Sequence, residues 1–350
     1  MRDRKVYRAV GLMSGTSLDG VDAALIETDG YGFVRPLGFV TCLYDAATRE
    51  KIRACFGKMD APLDVVRVLT EKHIEAVRML LRDNKADVIG FHGQTIHHDP
   101  ANKITVQIGD AALLARETGV PVVFDFRKND VEAGGQGAPL LPLYHRARAK
   151  GMPGPLAVLN LGGVGNVTYI DGNGILAFDT GPGNALIDDW VKKHTGADYD
   201  EDGKLAASGT VDKKILGDLL GHPYFDVKPP KSLDRNAFEF FPALSVEDGA
   251  ATLAAFTVGA VKKSLAWFSD RPKQWLVAGG GRHNRYLMEH LGIALNAPVN
   301  PVEIIGWNGD ALEAEGFAYL AVRSLLGEAI SLPSTTGVPS PLSGGALFKP

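Results

Sequence analysis

The chain has 350 residues, 45% of them hydrophobic and 22% charged, enough to build two cores and too apolar for a disordered protein. Its formal net charge of −4 leaves no cationic surplus, which argues against phosphate-driven nucleic-acid binding. Two cysteines, Cys42 and Cys55, cannot make a disulfide framework, and no apolar run approaches membrane-spanning length. The expectation is a cytoplasmic protein of two domains, with neither a nucleic-acid nor a membrane partner.

The first fifty residues read as a β-meander. Tyr7 to Met13 is strand-like, Ser14 to Gly20 is a polar turn, Val21 to Thr28 is a second strand, Asp29-Gly30 a hairpin signal and Leu37 to Leu43 a third strand. Val65, Val66, Leu69, Ile74, Val77, Leu80 and Leu81 recur at helical spacing and predict a long amphipathic helix. Asp87 to Phe91 is then a buried strand ending in His92-Gly93-Gln94-Thr95. Ile104 to Ile108 is a strand, Asp110 to Glu117 a helix and Val120 to Phe126 another strand. The Gly- and Pro-rich stretch from Asp130 to Pro155 is the expected inter-domain crossing.

The second half repeats this order about 150 residues further on, in pattern but not in residues. Leu156 to Leu161 is a strand, Gly162 to Asn166 a glycine turn, Val167 to Ile170 a strand, Asp171 to Gly174 a hairpin and Ile175 to Phe178 a strand. A helical stretch from Asp248 to Phe268, a strand from Gln274 to Ala278, a strand near Val299 and a helix from Asp310 to Leu326 follow. The chain carries 41 glycines, and they gather where strands end: 134–137, 162–165, 181–183 and 279–281. Such clusters mark sharp turns or close backbone approach to a ligand. Two like α/β domains facing each other would bring the turns to one cleft fit for a polyphosphate.

The turn Ser14 to Gly20 offers backbone N–H groups and hydroxyls to an anion, with Asp19 placed to hold a hydrated cation; an ordinary polar hairpin uses the same residues. Asp179, followed by Thr180-Gly181-Pro182-Gly183-Asn184, is a strand-end carboxylate suited to general-base work or to an Mg2+-bound water, or else a turn or helix-capping residue. His92, His97, His98 and Asp99 raise a metal cluster, though not at a zinc spacing. Arg127 can clamp a carboxylate, or belong to a solvated loop. Glu313 and Glu315 open a helix, where acidic residues also simply complement the dipole.

Taken in order, the segments Gly11 to Asp22, Gly90 to Thr95, Asp125 to Arg127, Gly134 to Leu140, Asn160 to Asn166, Phe178 to Asn184 and Gly279 to Asn284 resemble the anhydro-N-acetylmuramic acid kinase family of the actin/hexokinase/sugar-kinase superfamily. That resemblance implies two actin/hexokinase-like (ribonuclease H-like) α/β domains around a nucleotide and substrate cleft. It puts the first over residues 1–130, joined by 333–350, and the second over 131–332. It implies ATP-dependent phosphorylation of 1,6-anhydro-N-acetylmuramic acid with hydrolytic opening of the anhydro ring. Asp179 matches the family's catalytic base. Gly15, Thr16, Ser17, Leu18, Asp19, Gly20, Val21 and Asp22 match the ATP-phosphate loop. Gly162, Gly163, Gly181, Gly183, Asn184, Gly279 and Gly280 are further nucleotide candidates. Arg127 and Glu313, with Ser14 and Gln94, match residues at the sugar, and Mg2+ is expected beside the phosphates, held through water by Asp19. A homodimer is a further implication. A different sugar kinase, a metal-dependent relative using His92, and a non-catalytic nucleotide-controlled clamp are the competing readings.

Overall fold

The computed structural model describes residues 4–350 except Thr16, Asp83, Arg235, Asn236 and Phe241. The chain forms two compact units, one of residues 1–151 with 310–350 and the other of residues 152–309.

The first unit opens with strands β1 (Tyr7–Ser14), β2 (Gly20–Thr28) and β3 (Val34–Leu43), an antiparallel meander. Helices α1 (Ala46–Arg53) and α2 (Leu63–Leu80) follow. Asp45 caps α1 by accepting the Thr48 N–H at 2.8 Å. The apolar stripe of α2 places Val65, Leu69, Ile74 and Val77 in the core beneath the sheet. Then come β4 (Val88–Asp99), β5 (Ile104–Ile108), α3 (Ala111–Thr118), β6 (Val122–Phe124), α4 (Lys128–Glu132) and α5 (Pro142–Arg148).

The second unit repeats the meander with β7 (Leu156–Leu161), β8 (Val164–Asp171) and β9 (Gly174–Pro182), again antiparallel. Helices α6 (Ala185–Thr195), α7 (Lys204–Ser208), α8 (Lys213–Leu220) and α9 (Val246–Lys263) lead to β10 (Gln274–Ala278), α10 (Arg285–Leu295) and β11 (Val299–Pro301). The chain then returns to the first unit as α11 (Leu312–Leu325) and β12 (Ala346–Phe348).

The two sheets share one topology. In the first the order is β12-β6-β4-β1-β2-β3, with β4 parallel to β1 and β6 parallel to β4; β5 pairs with β4 off this path. In the second it is β11-β10-β7-β8-β9, with β10 parallel to β7 and β11 parallel to β10. An antiparallel meander extended by parallel strands on its first member is the arrangement expected for ribonuclease H-like domains, and it occurs here twice.

The division of the chain differs from the expected 130 and 332. Residues 131–151 and 310–332 belong to the first unit, because α11 packs directly on its sheet. A side-chain Cβ on Gly11 of β1 would lie 1.8 Å from the Ala314 carbonyl oxygen, and one on Gly90 of β4 would lie 2.2 Å from that of Phe317. Those two glycines let helix backbone rest on strand backbone. The glycine-rich stretch is also not a linker: the Gly135 and Gly137 N–H groups are held by Asp130, and Gln136 donates to the Thr336 carbonyl.

Strand β4 runs on to Asp99 instead of ending at Phe91. Gly93, at φ +70°, bends it, and the second half then pairs antiparallel with β5 from Gln94↔Ile108 onwards. Strand β6 is shorter than expected, since Asp125 turns into the left-handed region at φ +55° directly after it.

Candidate functional site

In the first unit the functional side chains gather where β1 gives way to the turn. Ser14 ends β1 in register with Gln94 of β4, and both are buried. The Ser14 hydroxyl donates to Gln94 Oε1 at 2.6 Å, so the Tyr44 hydroxyl, 2.9 Å away, is the donor to Ser14. Burial pushes the Tyr44 phenol up, which keeps it a neutral donor.

The turn itself splits into two kinds of residue. Leu18 sits at φ +60° with its side chain sealed in the core, and its N–H donates to the Gly15 carbonyl at 3.1 Å. Val21 is likewise a core residue inside β2, so its side chain offers nothing to a nucleotide. Ser17 and Asp19 are exposed, and the Asp19 carbonyl accepts the Tyr44 N–H at 3.1 Å. Gly20 is required by the meander: a Cβ there would lie 2.3 Å from the Cys42 carbonyl oxygen. Thr16 lies outside the described residues.

Asp22, on β2, accepts from the Thr41 hydroxyl at 2.6 Å. Burial raises its carboxyl above the usual range, the Thr41 hydrogen bond offsets part of this, and the nearby charges of Asp310 and Asp19 add to the rise. Asp22 thus lies within electrostatic reach of two further carboxylates, Asp310 and Asp19. Among the described residues no group of three or more His, Cys, Asp and Glu forms a metal cage.

The histidine cluster resolves into separate structural tasks. Arg127 Nε donates to His92 Nε2 at 3.0 Å, and its Nη1 donates to the Gly137 carbonyl at 2.6 Å. Because an arginine only donates, His92 is the Nδ1–H tautomer, and that N–H reaches the Gly93 carbonyl at 2.9 Å. Burial, then the Arg127 charge, holds His92 well below the ordinary histidine range. His98 Nε2 donates to the Gln136 carbonyl at 2.9 Å. Arg127 is half-buried and held in place, so it is not part of a solvated loop.

Glu313 sits half-buried in the first turn of α11. Glu315, two residues on, is not there for the helix dipole alone. It is buried against Arg148 and Tyr144 of α5, accepting hydrogen bonds from both.

In the second unit the glycine clusters meet one another. The Gly183 and Asn184 N–H groups donate to the Gly163 and Gly162 carbonyls at 2.9 and 2.8 Å, and Asn184 Nδ2 donates to Leu161 O at 2.8 Å. A Cβ on Gly183 would fall 2.2 Å from Gly162 O; one on Gly279, at φ +75°, would fall 2.3 Å from Asn160 Oδ1. Gly183 and Gly279 therefore serve close packing on the 160–162 segment whatever else they do, Gly181 leaves room for the Ala260 side chain, and Gly280 is exposed. Residues 162–163, 181–184 and 279–280 form one corner at the strand ends, as their chain positions suggested.

Asp179 lies near the end of β9, opposite Asn166 of β8, and is 7% exposed. A segment without regular periodicity wraps it. The Leu233 N–H donates to Asp179 Oδ2 at 2.8 Å, the Asp179 N–H donates to Lys231 O at 2.9 Å, and the Tyr224 hydroxyl donates to the Asp179 carbonyl. Lys231 Nζ, itself buried, donates to Tyr224 O at 2.7 Å, and burial lowers its amine to about 8. Sequence reasoning did not find Tyr224, Lys231 or Leu233; the Pro229-Pro230-Lys231 run has no strand or helix period to place it. The structure thus brings Ser14, Gln94 and the turn together in the first unit, and Asp179 with the glycine corner falls in the second.

Comparison with known proteins covers nearly the whole chain. The anhydro-N-acetylmuramic acid kinase family model matches residues 7–350. A curated relative of that name from Rhizorhabdus wittichii is 54% identical over 98% of this chain and 99% of its own length. Another from Rhodospirillum rubrum is 54% identical over 97% and 94%, and one from Paramagnetospirillum magneticum 54% identical over 98% and 99%.

Proposed function

The chain belongs to the anhydro-N-acetylmuramic acid kinase family, and from that premise we propose that it phosphorylates 1,6-anhydro-N-acetylmuramic acid with ATP while water opens the anhydro ring. The products are N-acetylmuramic acid 6-phosphate and ADP, and the reaction belongs to peptidoglycan recycling. The observation that carries this reading is the family match over residues 7–350, in a chain that keeps Asp179 and the glycine corner at the strand ends of its second unit.

The chemistry couples two bond changes. Asp179 takes a proton from water, the water oxygen bonds to the anomeric carbon, and the bond from that carbon to the bridging oxygen breaks. The freed oxygen takes the γ-phosphoryl group, and ADP leaves. An ether oxygen carries no proton and is a weak nucleophile, so base-assisted opening and phosphoryl capture support each other. The Leu233 N–H fixes one Asp179 oxygen, which orients the carboxylate without removing its charge.

Ser17 and Asp19, the exposed residues of the turn, offer backbone N–H groups to phosphate oxygens. Asp19 and Asp22 suit an Mg2+ ion held mainly by water and phosphate, since that ion rarely uses an all-protein cage. When bound, the ion neutralises charge between the β- and γ-phosphates. Ser14, Gln94, Arg127 and Glu313 are assigned to the sugar.

Incubation with ATP, Mg2+ and the anhydro sugar in 18O-water tests the reading. The expected products are ADP and a 6-phosphorylated sugar labelled at the anomeric hydroxyl and not in the phosphate. Efficient phosphorylation of glucose with none of the anhydro sugar favours an ordinary sugar kinase and overturns it.

A further inference from the structure

Residue 92 is a neutral histidine on β4 with one ring nitrogen accepting from an arginine side chain. Its position is built from both sides. Its ring packs on Phe317 of α11 with centroids 4.5 Å apart, and Phe317 lies one helical turn beyond Glu313. Phe317 also packs on Phe126, the neighbour of Arg127, at 5.4 Å. His92 therefore touches the helix that carries Glu313 and bonds the side chain of Arg127. The Gly137 carbonyl takes a second Arg127 donor, and the loop bearing that carbonyl is tied by Asp130, whose other carboxylate oxygen accepts from Thr336 at 2.6 Å.

We propose that His92 is a positioning residue for sugar binding, its Nε2 lone pair holding the Arg127 guanidinium plane in the orientation that meets the substrate carboxylate. A guanidinium recognises a carboxylate through a planar fork, so a rotated plane loses the paired contact even though the charge remains. The Arg127 Nε and Nη1 donors are held by His92 and the Gly137 carbonyl, and together these two bonds define the plane. The proposal rests on the assignment of Arg127 to the sugar.

The test uses steady-state kinetics of the full chain with both substrates. His92→Phe keeps an aromatic ring against Phe317 and removes the acceptor; it raises KM for the anhydro sugar about tenfold or more, while KM for ATP changes by less than about twofold. His92→Gln, whose carbonyl reaches the Nε2 position, recovers most of that loss. A merely structural role predicts instead that both variants lose thermal stability and shift both KM values together. Equal impairment in His92→Phe and His92→Gln, or an unchanged sugar KM in His92→Phe, overturns the proposal. Should His92→Phe not fold, His92→Gln against the shorter His92→Asn carries the same contrast, and equal sugar KM values there overturn it. Arg127→Ala separates the premise: if it leaves the sugar KM unchanged, the assignment of Arg127 falls and takes the proposal with it. If Arg127→Ala raises the sugar KM and His92→Phe does not, only the proposal about His92 falls.

Discussion

The two units meet the same topological problem with different chemistry. Each places its third residue of the second meander strand opposite the third strand, Asp22↔Thr41 in one and Asn166↔Asp179 in the other. In the first unit the acid is on the second strand and a hydroxyl faces it; in the second the acid is on the third strand and faces an amide. The turn before these pairs differs as well. The first unit closes it with side chains, Ser14, Gln94 and Tyr44, and the second with glycine backbone stacked on glycine backbone. A shared fold fixes where groups are presented but leaves open which unit supplies hydrogen-bond recognition and which supplies the base.

Four changes would break or sharpen that contrast. The largest effect is expected from Asp179→Asn, which keeps an oxygen for the Leu233 N–H and removes the carboxylate proposed as the base. Turnover should fall by about 10²–10⁴ with little change in thermal midpoint, as read by ADP release. Retention of activity would move the base to Asp22 and reverse the comparison.

Next is Gly183→Ala. Its Cβ would fall 2.2 Å from the Gly162 oxygen, so backbone must move, at about 1–3 kcal/mol or more in urea unfolding. A neutral result would mean that the glycine corner is not sterically closed. Ser14→Ala leaves Gln94 Oε1 and the Tyr44 hydroxyl without their shared partner. A loss of about 1–3 kcal/mol in urea unfolding, with a raised sugar KM, is expected. Stability loss alone would make this network structural and remove the hydrogen-bond role from the first unit.

The smallest effect concerns pH. Burial lowers Lys231 from 10.5 to about 8, so between those values the unfolded chain binds more protons than the folded one. Stability from this group therefore rises with pH across that window and is flat below it. Lys231→Met should remove the rise, seen as the difference between wild-type and variant urea midpoints from pH 7 to 10.5.

Much of the fold was readable because local pattern and packing agree. The spacing of Val65, Leu69 and Val77 predicted α2, and the largely apolar runs at 156–161 and 274–278 predicted β7 and β10 as they occur. The membership of α11 was not readable. Its helical period is clear, but the surface it meets is set by Gly11 and Gly90, some 200–300 residues away in sequence, and glycine alone does not say what approaches it. The site divides in the same way. The motifs Asp179 to Asn184 and Ser14 to Asp22 announce themselves as polar residues at strand ends. The bond from Arg127 to His92 spans 35 residues, from β4 to the turn that follows β6, a proximity only the fold establishes, and the wrap of 224–233 around Asp179 follows no period.

Crowding in the glycine corner also decides how such chains can diverge. Alanine at 183, 279 or 281 would bring a methyl within 2.2, 2.3 or 2.6 Å of a neighbouring atom, so drift at those places is closed for reasons unrelated to any ligand. Gly280, Gly163 and Gly162 have room, their added methyls meeting nothing nearer than 3.7, 3.6 and 3.8 Å. Change in that corner is therefore open at Gly162, Gly163 and Gly280, where side chains can be sampled without rebuilding the main chain.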